Sequence, residues 1–427
     1  MRSICLIALL ACVVGCALPS RSYSVLTHEQ IIDLAWKDEI RPLLLKRFPQ
    51  ATPDEIKQAH AYAYGGSVVQ DMGYYPFGNK YFSDLVHYVR TGDFVSALIA
   101  DSTNINEYAF ALGALAHYSS DNMGHPVINQ VVAIEFPKLR KKYGDEVTYA
   151  DDHKAHIRTE FGFDMVQVAK NRYTSDRFHD FIGFEVSRPV LDRAFVETYG
   201  LRLNDVLGNE DMSIGTFRRA ISTIIPEMTR VALLNRRADL VRDTPNFDKR
   251  KFLYHLSRAK YEKQWGRGYR RPGFGSRVLA FILRIIPKVG PASALDFKVP
   301  TTRTEDIYIK SVNQTTDNYY SLLHEVRDNG MDFSDTDCDT GRKTAAAEYP
   351  LADVTYSKLL QNHSSKRFAL MTPELRSNIL AFYSDLNAPY HDKKSHKSWQ
   401  KTMLALEQLK TWQPPPVQNQ PVPVGTE

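Results

Sequence analysis

The chain has 427 residues, 43% of them hydrophobic and 24% charged, with a formal net charge of +5. That balance supports a globular protein with a real core and excludes a highly charged, disordered chain; the slight basic excess is spread along the sequence and does not by itself mark an anionic partner. Cys5, Cys12 and Cys16 all lie near the N-terminus, which leaves Cys338 alone and excludes an intrachain disulfide framework.

The first element is an export signal. Arg2 precedes a short apolar run over residues 4–14, too short to cross a bilayer, and no later stretch approaches the roughly 20 apolar residues a span requires. Two ways of processing it stay open. Val13-Val14-Gly15-Cys16 reads as a lipobox that would tether the protein through Cys16, whereas Ser20-Arg21-Ser22 offers a cut before Tyr23. A periplasmic or secreted protein, or a membrane-tethered lipoprotein, is expected.

Thr27 can cap a helix whose apolar face holds Ile31, Ile32, Leu34 and Trp36. Thr52-Pro53-Asp54-Glu55 starts a second helix, with a capping threonine, proline at the first position and acids in the first turn. It runs to about Gly65-Gly66, and Asp71 stands at the head of the Gly-, Tyr- and Pro-rich turn that follows. A helix over residues 81–88 carries His87, Thr91-Gly92-Asp93 breaks the chain, and residues 94–100 form a short helix.

Residues 109–126 then place His117, Asp121 and His125 at steps of four, on one face of a helix whose other residues are apolar or small. One such His–Asp pair alone is more often an ordinary hydrogen-bonded pair than a metal site. Buried together, two imidazoles and a carboxylate need a partner, and a divalent cation such as zinc suits them. Pro126 opens a further segment. The helix over 149–170 carries His156 and Glu160 four apart, with His153 one turn earlier as a substitute. By default that pair is a surface i,i+4 interaction. Helices are expected over 178–196, 213–234, 307–329, 345–361 and 372–387. Residues 260–272 are basic and aromatic. The apolar segment 277–289 reads as a core helix or as an interfacial one that would touch a membrane surface. A Pro-rich tail closes the chain. No repeat and no run of alternating strands is present.

The order and spacing of Tyr23-x4-His28, Asp71, His87, His117-x3-Asp121-x3-His125 and His156-x3-Glu160 resemble the zinc-dependent phospholipase C family, related to single-strand-specific zinc nucleases. The resemblance implies an all-α multi-helix bundle over residues 23–245, after a signal segment 1–22. A mostly helical C-terminal region 246–412 and a disordered tail 413–427 would complete the chain. It further implies two or three Zn2+ ions. Asp71, His87, His117 and Asp121 would hold one; His125, His156 and Glu160 a second; His28 and Asp121 a third, with the amino nitrogen and carbonyl oxygen of an N-terminal Tyr23. Asp71 would also orient the attacking water. The chain departs from the family pattern twice: three residues rather than five separate Asp121 from His125, and Tyr23 stands where the family has tryptophan. The activity expected is phospholipase C-type hydrolysis of phospholipid or another phosphodiester, with no stable protein partner. A zinc nuclease or 3′-nucleotidase, and an exported binding protein that keeps only the fold, are the alternatives.

Overall fold

The computed structural model describes residues 24–169, 173, 182–225 and 297–413. Helix α1 (Val25–Ala35) starts at Ser24, one turn earlier than Thr27 suggests. Thr27 is not the cap. Its hydroxyl is buried and reaches Asp164 at 2.8 Å and the Tyr308 hydroxyl at 2.7 Å, so a long-range contact takes the group that a local cap would have used. After a wide turn (Trp36–Ile40) and α2 (Arg41–Arg47) comes α3 (Pro53–Val69). Thr52 and Glu55 form the expected capping box at its start. The helix passes through Gly65-Gly66 into a 3-10 turn (Gln70–Tyr74) that carries Asp71.

Helices α4 (Lys80–Tyr88) and α5 (Thr91–Ala100) meet at Arg90, whose φ of 49° makes the break. Thr91-Gly92-Asp93 is therefore the first turn of α5 and not a gap. Asn104 then caps α6 (Ile105–Glu135), accepting from the Asn106 and Glu107 amides. Pro126 lies inside this helix and does not open a new one. The carbonyl that its missing N–H cannot serve belongs to Asn122. Gly341, at φ 67°, packs so closely on that carbonyl that an added Cβ would lie 2.3 Å from it.

The chain continues through α7 (Pro137–Tyr143), α8 (His153–Ala169), α9 (Arg188–Tyr199), α10 (Leu203–Leu207) and α11 (Glu210–Arg219). Residues 260–272 and 277–289 lie outside the described residues, as does the tail beyond 413. Helix α12 (Thr302–Arg327) lies along α6. It is fastened there by Tyr319, which donates to the Leu112 carbonyl at 2.8 Å, and by Thr304, which donates to Glu135 at 2.6 Å. Strands β1 (Thr336–Asp337) and β2 (Arg342–Lys343) pair antiparallel and are the only strands among the described residues. Helices α13 (Pro350–Ser365), α14 (Pro373–Phe382) and α15 (His396–Thr411) follow; the last has no counterpart in the sequence reading. The fold is all-α. One apolar core runs from Val25 to Leu409, with α6 sandwiched between α3 and α12. Among the described residues, no helix is long and apolar enough to cross a membrane.

Candidate metal centre

Small residues set the position of the first histidine. Gly66 and Gly113 let α3 and α6 touch backbone to backbone: an added Cβ would lie 1.9 Å from the Phe110 carbonyl oxygen at Gly66, and 2.2 Å from that of Ala63 at Gly113. This approach brings the Ser67 carbonyl to His117, whose Nδ1–H donates to it at 2.8 Å. On α4, His87 Nδ1–H donates to the Ser83 carbonyl at 2.7 Å. A carbonyl only accepts, so both rings carry a proton on Nδ1. In the neutral form each then turns an Nε2 lone pair inward, the arrangement in which backbone acceptors hold metal-binding imidazoles.

Those two Nε2 atoms are 3.3 Å apart. Asp121 Oδ2 is 3.2 Å from each, and Asp71 Oδ1 is 3.6 Å from His87 Nε2. His28 stacks on His117 with centroids 4.4 Å apart and places Nε2 3.7 Å from Asp121 Oδ1. Ligand atoms of His28, His117 and Asp121 all lie within 4.8 Å of one another, as do those of Asp71, His87 and His117. All five side chains are buried. Helices α1, α4 and α6 and the 3-10 turn thus deliver nitrogen and oxygen donors to one point.

A second group lies further along the same face of α6. His156 Nε2–H donates to the Val147 carbonyl at 2.6 Å, which turns Nδ1 toward Glu160 Oε1 at 3.3 Å. His125 and His156 face each other edge to face, with centroids 6.4 Å apart. His125, His156 and Glu160 are buried, so the His156–Glu160 pair is not a surface interaction. His153 is exposed and does not substitute. Tyr23 lies outside the described residues.

The electrostatics show what the donors need. Burial lowers His117, but the Asp121 charge outweighs it and raises the imidazole to about 9. Burial raises Asp121, yet His117, His87 and His125 hold it well below the usual carboxylate range. Burial holds His28 well below an ordinary histidine, helped by His117, and pushes Glu160 well above an ordinary glutamate. Buried imidazoles and carboxylates therefore compete for protons where a cation would satisfy both. Two observations test the fit to a metal. Neither ring nitrogen of His125, and not Glu160 Oε2, has a hydrogen-bond partner, although all are buried. The donors are also all imidazole nitrogen and carboxylate oxygen, a set that zinc accepts. The residues fit.

The family model described as zinc dependent phospholipase C matches residues 27–209. This segment belongs to the zinc-dependent phospholipase C family. It contains His28, Asp71, His87, His117, Asp121, His125, His156 and Glu160, and membership indicates a zinc-dependent hydrolase with a phosphodiesterase or phospholipase role. No curated protein and no solved structure matches the chain.

One buried carboxylate was missed from the sequence. Asp339, in the turn between β1 and β2 and outside the family match, places Oδ1 3.0 Å from His125 Nδ1. The alternation Asp335-Thr-Asp337-Cys-Asp339 before Thr340-Gly341 was the available signal. It marks a polar turn but not where that turn docks.

Proposed function

We propose that the protein is a zinc-dependent phosphodiester hydrolase of the phospholipase C type that releases phosphorylated head groups from phospholipid. The observation that carries this reading is the convergence of His87 and His117 Nε2 on Asp121 and Asp71, with both tautomers fixed by backbone carbonyls. Asp71, His87, His117 and Asp121 would hold one ion, and His125, His156 and Glu160 a second. His28 and Asp121 would hold a third, together with the amino nitrogen and carbonyl oxygen of Tyr23 freed by signal cleavage. When bound, zinc supplies a nucleophile at neutral pH and stabilises charge on the phosphoryl oxygens.

The chain's own residues do the rest. The Ser67 and Ser83 carbonyls keep the two Nδ1 protons away from the centre, so His117 and His87 donate lone pairs rather than compete for a cation. Asp71 sits on the tight turn after α3, and we assign it the orientation of the attacking water by accepting its hydrogen bond. Burial of all five side chains lowers the local dielectric and strengthens the pull of Asp71 and Asp121 on a cation. A site of this kind serves an exported protein acting at a lipid surface.

The test uses full-length protein purified without chelators. Zinc content, its N-terminal residue, and hydrolysis of phosphatidylcholine, single-stranded DNA and a nucleoside 3′-phosphate are measured side by side. Bound zinc, a free Tyr23 and release of phosphocholine are expected, with Asp121→Asn losing both zinc and activity. Cleavage of DNA or the nucleotide alone would reassign the protein as a nuclease. Absence of both zinc and hydrolysis would leave a binding protein that has kept the fold.

A further inference from the structure

His125 is the least satisfied histidine of the centre. Its ring is buried on α6, and neither nitrogen has a hydrogen-bond partner. A neutral imidazole must carry a proton on one nitrogen, and an N–H left without an aligned acceptor in the interior is unfavourable. Yet Asp339 Oδ1 lies 3.0 Å from Nδ1. The two atoms are close enough for a hydrogen bond but not aligned as one. The first group shows the same relation, with Asp121 Oδ2 3.2 Å from both His87 and His117. Two ligands bonded at about 2.0–2.2 Å to one tetrahedral zinc ion come to lie about 3.3–3.6 Å apart, so these pairs need to open by only a few tenths of an ångström to share an ion.

Asp339 is held for this position. Tyr88 donates to its Oδ2 at 2.7 Å, and Tyr349 donates to the same oxygen. Its amide donates to Asp337 Oδ1 at 2.9 Å, and its carbonyl accepts from Asn129 Nδ2 at 3.0 Å. The Cys338 amide ties the turn to the His87 carbonyl at 3.0 Å. With Oδ2 occupied by two phenols, Oδ1 is the oxygen turned toward His125.

We propose that Asp339 is a metal-binding residue, whose Oδ1 joins His125 Nδ1, His156 and Glu160 in holding one divalent cation. The proposal rests on the zinc hydrolase reading and adds to it a ligand from outside the family-matched segment. It also adds charge. Glu160 alone gives the second group one carboxylate. With Asp339 that group has two, which match the charge of one divalent ion.

Asp339→Asn is the discriminating variant. It keeps the size of the side chain and an acceptor for the two phenols, and removes the anionic oxygen. Zinc stoichiometry and affinity are measured on the full-length chain by competition with a chromogenic chelator. The variant should lose one equivalent, or hold it at least about ten-fold more weakly, while the remaining zinc binds as in the wild type. The metal-free melting curve serves as the folding control. Equal stoichiometry and affinity in a folded Asp339→Asn overturn the proposal. If the variant does not fold, anomalous diffraction from the zinc-loaded wild type decides. A zinc peak within about 2.2 Å of Asp339 Oδ1 supports it, and zinc only at the His117 group overturns it while leaving the hydrolase reading standing. A wild type that binds no zinc overturns both.

Discussion

Replacing Gly113 by alanine tests how the centre is built. In an open helix, this change stabilises by about 1 kcal/mol, because alanine is the better helix former. At Gly113 the new Cβ would lie 2.2 Å from the Ala63 carbonyl oxygen and 2.9 Å from the Ser67 amide nitrogen. Both atoms are backbone, so no rotamer change relieves the clash. Helix α3 must withdraw by about an ångström to reach ordinary contact, which carries the 2.8 Å bond from His117 to the Ser67 carbonyl out of range. Overpacking of this kind costs about 1–3 kcal/mol. With the lost hydrogen bond, and against the gain in propensity, we expect a net loss of about 2 kcal/mol and a melting point lower by about 2–3 °C. Zinc affinity should fall as well, because the His117 ring loses the acceptor that fixes it. Gly215→Ala, on α11 where an added Cβ meets nothing within 4 Å, is the control and should melt at the same temperature or higher. Calorimetry with chelator competition measures both effects. If Gly113→Ala matches Gly215→Ala in melting point and zinc affinity, the close approach of α3 and α6 does not position His117.

Two further predictions concern stability alone. Burial and the nearby Asp93 charge push Asp335 up to about 6, against the hydrogen bonds it accepts from the Gly92 and Asp93 amides. The folded state therefore binds the Asp335 proton more tightly than the unfolded chain does, and stability falls as pH rises from about 4 to 6. Asp335→Asn should remove that slope and gain on the wild type across this window by at most about 3 kcal/mol; denaturant melts giving a constant gap would refute this. Thr52→Ala removes the capping box of α3 and should cost about 1 kcal/mol in the same assay without changing zinc content.

The local grammar of the chain was legible because it depends on near neighbours. Thr52 and Glu55 form their box from sequence adjacency alone, and the four-residue steps from His117 to His125 fix one face of α6 wherever that helix packs. Local sequence misleads where a distant segment decides. Thr27 has the chemistry of a cap, but Asp164 and Tyr308 claim its hydroxyl from more than a hundred residues away. Pro126 ordinarily ends a helix, and here the turn at Gly341 covers the carbonyl it leaves behind. Asp339 could not be found by spacing, since only the docking of β1 against α4 and α5, and of the turn after it against α6, brings it to His125. His156 and Glu160 were visible as a pair, but the enclosure that takes them from surface to interior was not.

Helix α6 leaves the ribosome long before α12, which covers it. Until then one flank of the histidine-bearing helix has no mate, and closing it means joining segments far apart in the chain, a slow kind of search. A metal centre carried by the early helices would lack that flank until α12 docks, so retention of an ion would depend on a segment that bears none of the centre's histidines.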